Sequence, residues 1–139
     1  RSDLEAMFRI NVSSALVMAR TFAEPLQENG GQFVVINSSV AQQSPKAAPG
    51  AYAATKHAAR ALTDSLRDSF NPLGVRVLSV FPGRTATPMQ EAIFASEGRE
   101  YPATKLLQSD DVAAVVQNAL ELPPTAEVTD ISVRPMQKT

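Results

Sequence analysis

Four consecutive apolar residues, Phe33-Val34-Val35-Ile36, indicate a short strand that is buried on both faces. Before them, apolar residues recur about every fourth position along residues 2 to 29, which is the spacing of a buried helical stripe. Asn29-Gly30-Gly31 ends this predicted helix. After the strand, residues 37 to 51 turn polar and carry proline and glycine, which is typical of a loop. The chain therefore opens with a helix that leads into a strand.

The helix–strand order then recurs along the chain. The further predicted elements are a helix over 52 to 70, a strand over 75 to 81, a short helix near 90 to 96, a helix from 109 and a strand over 127 to 133. Helices that alternate with strands in this way call for a parallel sheet with right-handed crossovers. In such sheets, ligands bind beyond the carboxyl ends of the strands. The residues that follow the first and second strands are therefore candidates for a site.

The composition excludes several classes of function. The 139 residues carry 13 basic and 14 acidic side chains and no basic run, which excludes nucleic acid and an anionic membrane surface as partners. The chain has no cysteine and a single histidine, His57, so no disulfide and no thiolate or histidine-rich metal site is expected. The longest apolar runs are five residues, far below the roughly 20 that a bilayer requires. Without a secretory leader, we predict a cytoplasmic protein.

Two positions stand out chemically. Tyr52 and Lys56 are one helical turn apart and share a face. A free tyrosine has a pKa near 10, and a nearby ammonium favours the phenolate, so such a pair can act as a general acid/base; the alternative is a chance surface pair. Asn11 lies inside the buried stripe of the first helix, where its amide needs partners, either in an inter-helix hydrogen bond or in an ordered polar site. For His57 we predict a packing or solvent role.

Together these residues resemble the carboxyl-terminal part of a classical short-chain dehydrogenase/reductase. Tyr52-Ala-Ala-Thr-Lys56 is similar to that family's Tyr-x-x-x-Lys motif. Ser39 lies thirteen residues before Tyr52, where the family has its catalytic serine. Asn11 matches the family's catalytic asparagine, and residues 82 to 89 are similar to its Pro-Gly-x-x-x-Thr-x-Met cofactor loop. The resemblance covers essentially the whole chain.

This resemblance implies an NAD(P)-dependent oxidoreductase that interconverts a carbonyl and an alcohol by hydride transfer. Tyr52 would exchange a proton with the substrate oxygen, and Ser39 would hold that oxygen in place. Lys56 would favour the phenolate and bond the nicotinamide ribose, and Asn11 would position a water linked to Lys56. The cofactor-binding residues that the resemblance implies are Tyr52, Lys56, Pro82, Gly83, Thr85 and Thr87. The residues that choose between NAD and NADP lie outside this chain.

The family's glycine-rich Thr-Gly-x-x-x-Gly-x-Gly segment, which holds the pyrophosphate at a helix N-terminus, does not occur in these residues. The predicted fold is therefore the C-terminal half of a Rossmann-like, doubly wound parallel sheet, with residues 1 to 139 forming one partial domain. The strand near residue 33 would then lie at an edge that the missing units cover. We expect the piece alone to be poorly folded and to bind no dinucleotide tightly.

The resemblance also implies partners: a small carbonyl or alcohol substrate, and further copies of the chain packed through the helices at 2–29 and 52–70. Two alternatives stay open. One is a truncated, non-catalytic oligomerisation module of the same family. The other is an epimerase or dehydratase on the same scaffold, since these enzymes also use a Tyr/Lys pair and NAD(P).

Overall fold

A sheet of three parallel strands is central to the computed structural model, which describes residues 2–44 and 50–137. Its strands are β1 (Gln32–Ile36), β2 (Arg76–Pro82) and β3 (Asp130–Val133). They lie side by side in chain order, and each pairs with the next in parallel. This confirms the predicted α/β class with a parallel sheet.

Helices connect the strands at the predicted places. They are α1 (Ser2–Phe8), α2 (Ser14–Glu28), α3 (Gly50–Phe70), α4 (Pro88–Ser96) and α5 (Ser109–Leu120). Short 3-10 helices add single turns at Ser39–Gln42, Asn71–Leu73 and Ala103–Lys105. The first of these lies within the predicted loop, and residues 45–49 of that loop fall outside the described residues.

The first predicted helix differs from a regular one. A π-helical segment, Arg9–Ser13, separates α1 from α2 and carries Asn11 at its centre. π-Helical turns are rare and are frequent at functional sites. The hydrophobic spacing over residues 2 to 29 predicts the helix correctly and does not reveal the extra residue in this turn.

The last strand is shorter than the predicted strand over 127 to 133. At residue 127 a side chain, and not a main-chain carbonyl, accepts the hydrogen bond from β2. Glu127 Oε1 accepts the main-chain N–H of Val77 at 2.8 Å, so the carboxylate satisfies that donor of β2. Main-chain bonding between the strands begins where Ser79 N–H donates to Thr129 O at 2.9 Å. Regular pairing then runs from Asp130 to Val133.

Helices cover both faces of the sheet, as a doubly wound arrangement requires. On one face, Val77 of β2 packs with Ala19 of α2 and Leu66 of α3. On the other face, Leu78 and Val80 of β2 pack with α5. The central strand β2 is consequently buried over most of its length. This two-sided burial fixes where the carboxyl ends of β1 and β2 lie, and the candidate site follows from that position.

β1 lies at the edge of the sheet and, within the described residues, pairs only with β2. Its last residue, Ile36, is 53% exposed. An edge strand with exposed main-chain groups and apolar side chains is a surface for a further strand. The first helices also expose large apolar side chains, namely Leu4, Phe8, Ile10, Val17, Met18 and Phe22. No helix in the described part of the chain has both the length and the apolar character needed to cross a bilayer.

Candidate active site

The tyrosine and lysine of the predicted pair lie in the first two turns of α3 and share one side of it. Tyr52 is the third residue of the helix, and Lys56 follows one turn later. The Nζ atom of Lys56 is 5.7 Å from the centroid of the Tyr52 ring, within the range of cation–π attraction. Both residues are partly buried. The ring of a residue that can exchange a proton therefore lies beside a cation.

Burial lowers the pKa of Lys56 below its usual value of 10.5, because removing an ammonium from water disfavours its charged form. Among the described residues, no carboxylate forms an ion pair with this ammonium. Within that part of the chain, its N–H donors are not bound by a carboxylate. A partly desolvated cation also interacts more strongly with neighbouring groups than one in bulk water does.

Asn11 connects the first helical stretch to the start of α3. Its Nδ2 donates to the Oγ1 of Thr55 at 3.0 Å, and Thr55 immediately precedes Lys56. Of the two roles that the sequence leaves open for Asn11, the structure therefore has the inter-helix hydrogen bond. This bond brings Asn11 to the turn of α3 that carries Tyr52 and Lys56.

Ser39 lies just past the carboxyl end of β1, at the first position of a 3-10 helix. Its hydroxyl accepts a long hydrogen bond of 3.5 Å from Gln43 Nε2. In the part of the chain that the structure describes, no hydrogen bond joins it to Tyr52 or Lys56. The neighbouring Ser38 caps the 3-10 helix by accepting a hydrogen bond from a main-chain N–H at 3.3 Å, which is a structural role. Ser39 is the serine whose hydroxyl is less committed to local structure.

Asn37 is a site residue that the sequence analysis does not single out. It is buried at the carboxyl end of β1, and its Nδ2 donates to the main-chain oxygen of Lys56 at 3.1 Å. Its Oδ1 is also buried and has no partner among the described residues. The one available signal was its position, since a polar residue directly follows the apolar run Phe33–Ile36. Asn37 ties the sheet to the helix that carries the Tyr/Lys pair.

The loop after β2 approaches the C-terminal segment closely. An added Cβ at Gly83 would lie 3.0 Å from Pro135 Cδ, so a larger residue there would push the C-terminal segment away by a few tenths of an ångström. The Thr85 hydroxyl donates to Gly83 O at 3.1 Å, and the Thr87 hydroxyl accepts a main-chain N–H of α4 at 3.4 Å. Both threonine hydroxyls therefore stabilise the loop itself. Pro82 ends β2, which puts this loop at the same edge of the sheet as Ser39.

A charged cluster holds α4 against this loop. The guanidinium groups of Arg84 and Arg99 lie over the Phe94 ring, at 4.7 Å and 4.8 Å from its centroid. Glu97 pairs with both arginines, at 3.3 Å from Arg84 and 2.9 Å from Arg99. The hydrogen bond from Arg99 is the main reason that the pKa of Glu97 lies below its usual range. Phe94 is fully buried beneath these groups.

Other features of the surface lie apart from the Tyr/Lys pair. A groove of about 530 Å³ runs between α5, the loop before it and the C-terminal segment, and none of the predicted site residues lines it. His57 is partly buried, and its Nε2 has no hydrogen-bond partner within the described ranges. The described residues hold no cluster of three or more histidine, aspartate or glutamate side chains arranged for a metal ion.

Comparison with known proteins gives the family. A family model for short chain dehydrogenases matches residues 1–98. The chain belongs to the short chain dehydrogenase family. It is similar to an uncharacterized short-chain type dehydrogenase/reductase of Sinorhizobium fredii, with 29% identity over 136 residues, which is 96% of this chain and 55% of the relative.

Solved structures of similar fold also align with nearly all of this chain. An alcohol dehydrogenase from the archaeon Thermococcus sibiricus, complexed with 5-hydroxy-NADP, aligns with a TM-score of 0.80 and 25% identity and covers 100% of this chain. A closed form of serine dehydrogenase complexed with NADP+ aligns with a TM-score of 0.84 and 23% identity and covers 99% of this chain. The alignments take in 57% and 58% of those two structures, so the chain spans little more than half the length of the proteins it matches.

In this chain, the predicted site residues fall into two groups. Tyr52 and Lys56 lie in one turn of α3 and contact each other, and Asn11 is hydrogen-bonded to Thr55 in that turn. Ser39 and the loop residues Pro82, Gly83, Thr85 and Thr87 lie at the carboxyl ends of β1 and β2, with no hydrogen bond to the first group among the described residues. The first group is fixed by side-chain contacts, whereas the second is positioned by the strands that it follows.

We predict that Asn37→Ala lowers the free energy of unfolding by about 1–3 kcal/mol, because it removes a hydrogen bond between a buried side chain and the Lys56 carbonyl. Urea unfolding of the parent protein and of Asn37→Ala, followed by far-UV circular dichroism, measures the change. Asn29→Ala is the matched control, since Asn29 donates to Pro25 O from an exposed position. An equal effect of the two substitutions would contradict the role given to Asn37.

Proposed function

We propose that the protein carrying these residues is an NAD(P)-dependent oxidoreductase that interconverts a carbonyl and an alcohol. The observation that supports this most strongly is the arrangement at the start of α3. A tyrosine ring lies beside a partly buried ammonium that forms no ion pair within the described residues, and an asparagine amide is hydrogen-bonded to the same turn. A tyrosine in such a position can exchange a proton with a substrate oxygen.

The residues present fit a dinucleotide. The Lys56 ammonium forms no ion pair among the described residues, so it can bind ribose hydroxyl groups, and the Pro82–Gly83 turn lies at the carboxyl edge of the sheet. We propose that Tyr52, Lys56, Pro82, Gly83, Thr85 and Thr87 hold the nicotinamide end of the cofactor. When bound, NAD(P) supplies or accepts the hydride. The glycine-rich segment that binds the pyrophosphate in this family is not among these residues, so we expect tight binding only by a protein that contains both halves.

Each polar residue has a separate task in this proposal. Tyr52 gives a proton to the substrate oxygen during reduction and takes it back during oxidation. Lys56 places a positive charge beside that tyrosine and binds the cofactor's ribose. Ser39 donates a hydrogen bond to the substrate oxygen, and Asn11 holds a water that exchanges protons with Lys56. Phe94 and the Arg84–Glu97 pair keep α4 in place beside the site.

We propose small molecules as substrates and a homo-oligomer as the assembly, formed through the helices over 2–29 and 52–70. The exposed apolar side chains of α1 and α2 support an assembly, because a cluster of large apolar groups on a surface marks an interaction site. An epimerase or dehydratase, which uses a similar Tyr/Lys pair, is the second candidate. A non-catalytic module has no need for a desolvated lysine beside a tyrosine.

The test is a cofactor and substrate screen on the protein at its natural length. We expect saturable oxidation of NADH or NADPH with at least one member of a panel of aldehydes and ketones, followed at 340 nm. We also expect saturable binding of one of the two dinucleotides in the absence of substrate. Binding of neither dinucleotide would contradict the proposal.

A further inference from the structure

Thr55 has an unusual set of contacts for a threonine inside a helix. Its side chain is fully buried. Its hydroxyl donates to the main-chain oxygen of Tyr52 at 2.8 Å and accepts from Nδ2 of Asn11 at 3.0 Å. Because Thr55 immediately precedes Lys56, this one hydroxyl connects the turn of the Tyr/Lys pair with the π-helical segment of the preceding helical stretch.

The direction of both hydrogen bonds is fixed by chemistry. A carbonyl oxygen can only accept, so the single proton of the Thr55 hydroxyl points to Tyr52 O. The hydroxyl oxygen must then accept from its other partner, and only the NH2 group of Asn11 can donate to it. The amide of Asn11 therefore has one allowed orientation, with its Oδ1 turned away from Thr55. A chain of hydrogen bonds aligned in one direction is also stronger than its members taken separately.

The bond to Tyr52 O alone would be unremarkable, because threonines in helices often donate to a carbonyl one turn earlier. Thr63 shows that ordinary case in the same helix. It is also fully buried, and its hydroxyl donates to Ala59 O at 2.7 Å. What distinguishes Thr55 is the second bond, to a residue 44 positions away in the chain.

We propose that Thr55 is a positioning residue: its hydroxyl holds the amide of Asn11 in register with the turn that carries Tyr52 and Lys56. This inference rests on the proposed function. Thr55 itself touches neither substrate nor cofactor and acts through Asn11. A displaced Asn11 would no longer order the water that exchanges protons with Lys56, so the proton-transfer step would slow while substrate binding stayed intact.

The test compares variants of the protein at its natural length, using a carbonyl substrate found in the screen. Thr55→Val keeps the shape of the side chain and removes the hydroxyl. We expect it to lower kcat by about 10- to 100-fold, which is the effect of a small misplacement of a catalytic group, with little change in KM. Thr55→Ser restores the hydroxyl and should recover most of the lost turnover.

Thr63→Val is the matched control, because it removes an equally buried hydroxyl from the same helix. We expect it to affect unfolding about as Thr55→Val does and to leave kcat and KM near those of the parent protein. A further comparison joins Thr55→Val with Asn11→Ala. If Thr55 acts through Asn11, the double variant loses no more turnover than Asn11→Ala alone.

The outcomes separate the two proposals. No NAD(P)H-dependent reduction by the parent protein overturns the proposed function, and the role of Thr55 with it. Turnover by the parent protein together with equal kcat in Thr55→Val and Thr63→Val overturns the role of Thr55 alone. Additive losses in the double variant, or a Thr55→Ser protein as slow as Thr55→Val, overturn it as well.

Discussion

Tyr52→Phe is expected to lower kcat by about 100- to 10,000-fold, the range observed when a positioned acid/base group is removed. The ring remains, so its contact with Lys56 and the packing at the start of α3 persist. Dissociation constants for NADH and NADPH should change little, since the lost hydroxyl acts mainly on the substrate oxygen. Steady-state kinetics and fluorescence titration of the cofactor measure the two effects separately.

The control for this substitution is Tyr101→Phe, because Tyr101 is the only other tyrosine in the chain. Its hydroxyl lies 3.5 Å from Thr87 O, a distance at which its removal costs little. We expect this variant to keep most of the parent kcat. Near-normal turnover by Tyr52→Phe would show that another group handles the proton.

Lys56→Met is expected to impair both turnover and cofactor affinity. The substitution keeps an unbranched side chain of similar length and removes the ammonium beside Tyr52. Hydrogen bonds from a charged donor contribute about 1.5–3 kcal/mol each, so losing the contact to the ribose should raise the dissociation constant of the cofactor by about 10- to 150-fold. Turnover should fall further, because the positive charge beside Tyr52 is lost as well. Lys105→Met, at an exposed lysine, should change neither quantity.

Lys56→Met impairs function in this account, but it should not destabilise the cofactor-free protein. The lowered pKa of Lys56 means that the folded protein binds its proton less tightly than the unfolded chain does. The free energy of unfolding of the parent protein therefore rises with pH between the lowered value and 10.5. Lys56→Met lacks this dependence and should unfold at a temperature no lower than the parent protein does at neutral pH. A large loss of stability at neutral pH would contradict the assigned effect of burial.

The sequence predicts the architecture well because each element has a local signal. Each of these signals depends only on neighbouring residues. They are the apolar run at Phe33–Ile36, the run from Val75 to Phe81 and, in the helices, apolar residues at about every fourth position. The order of these elements then leaves a parallel sheet as the simplest arrangement. The Tyr52–Lys56 pair is likewise predicted by local spacing, since residues four apart share a helical face.

Features that depend on distant contacts escape this reasoning. The hydrogen bond between Asn11 and Thr55 joins residues 44 positions apart, and that between Asn37 and Lys56 joins residues 19 apart. Neither pairing has a periodic signature. The late start of β3 has the same origin, because Glu127 binds a main-chain donor 50 residues away. Within the predicted strand, exposed and half-buried side chains alternate only from Asp130 to Val133, and the sequence around Glu127 carries no information on that contact.

The most direct test of the whole account is to follow the transferred hydrogen. The protein at its natural length is incubated with a carbonyl compound and NADH or NADPH deuterated at the transferable position, and the product is analysed by mass spectrometry. The account predicts an alcohol with one deuterium on the former carbonyl carbon, formed with one equivalent of oxidised cofactor. An epimerised or dehydrated product, with the deuterium retained in the cofactor, would contradict it.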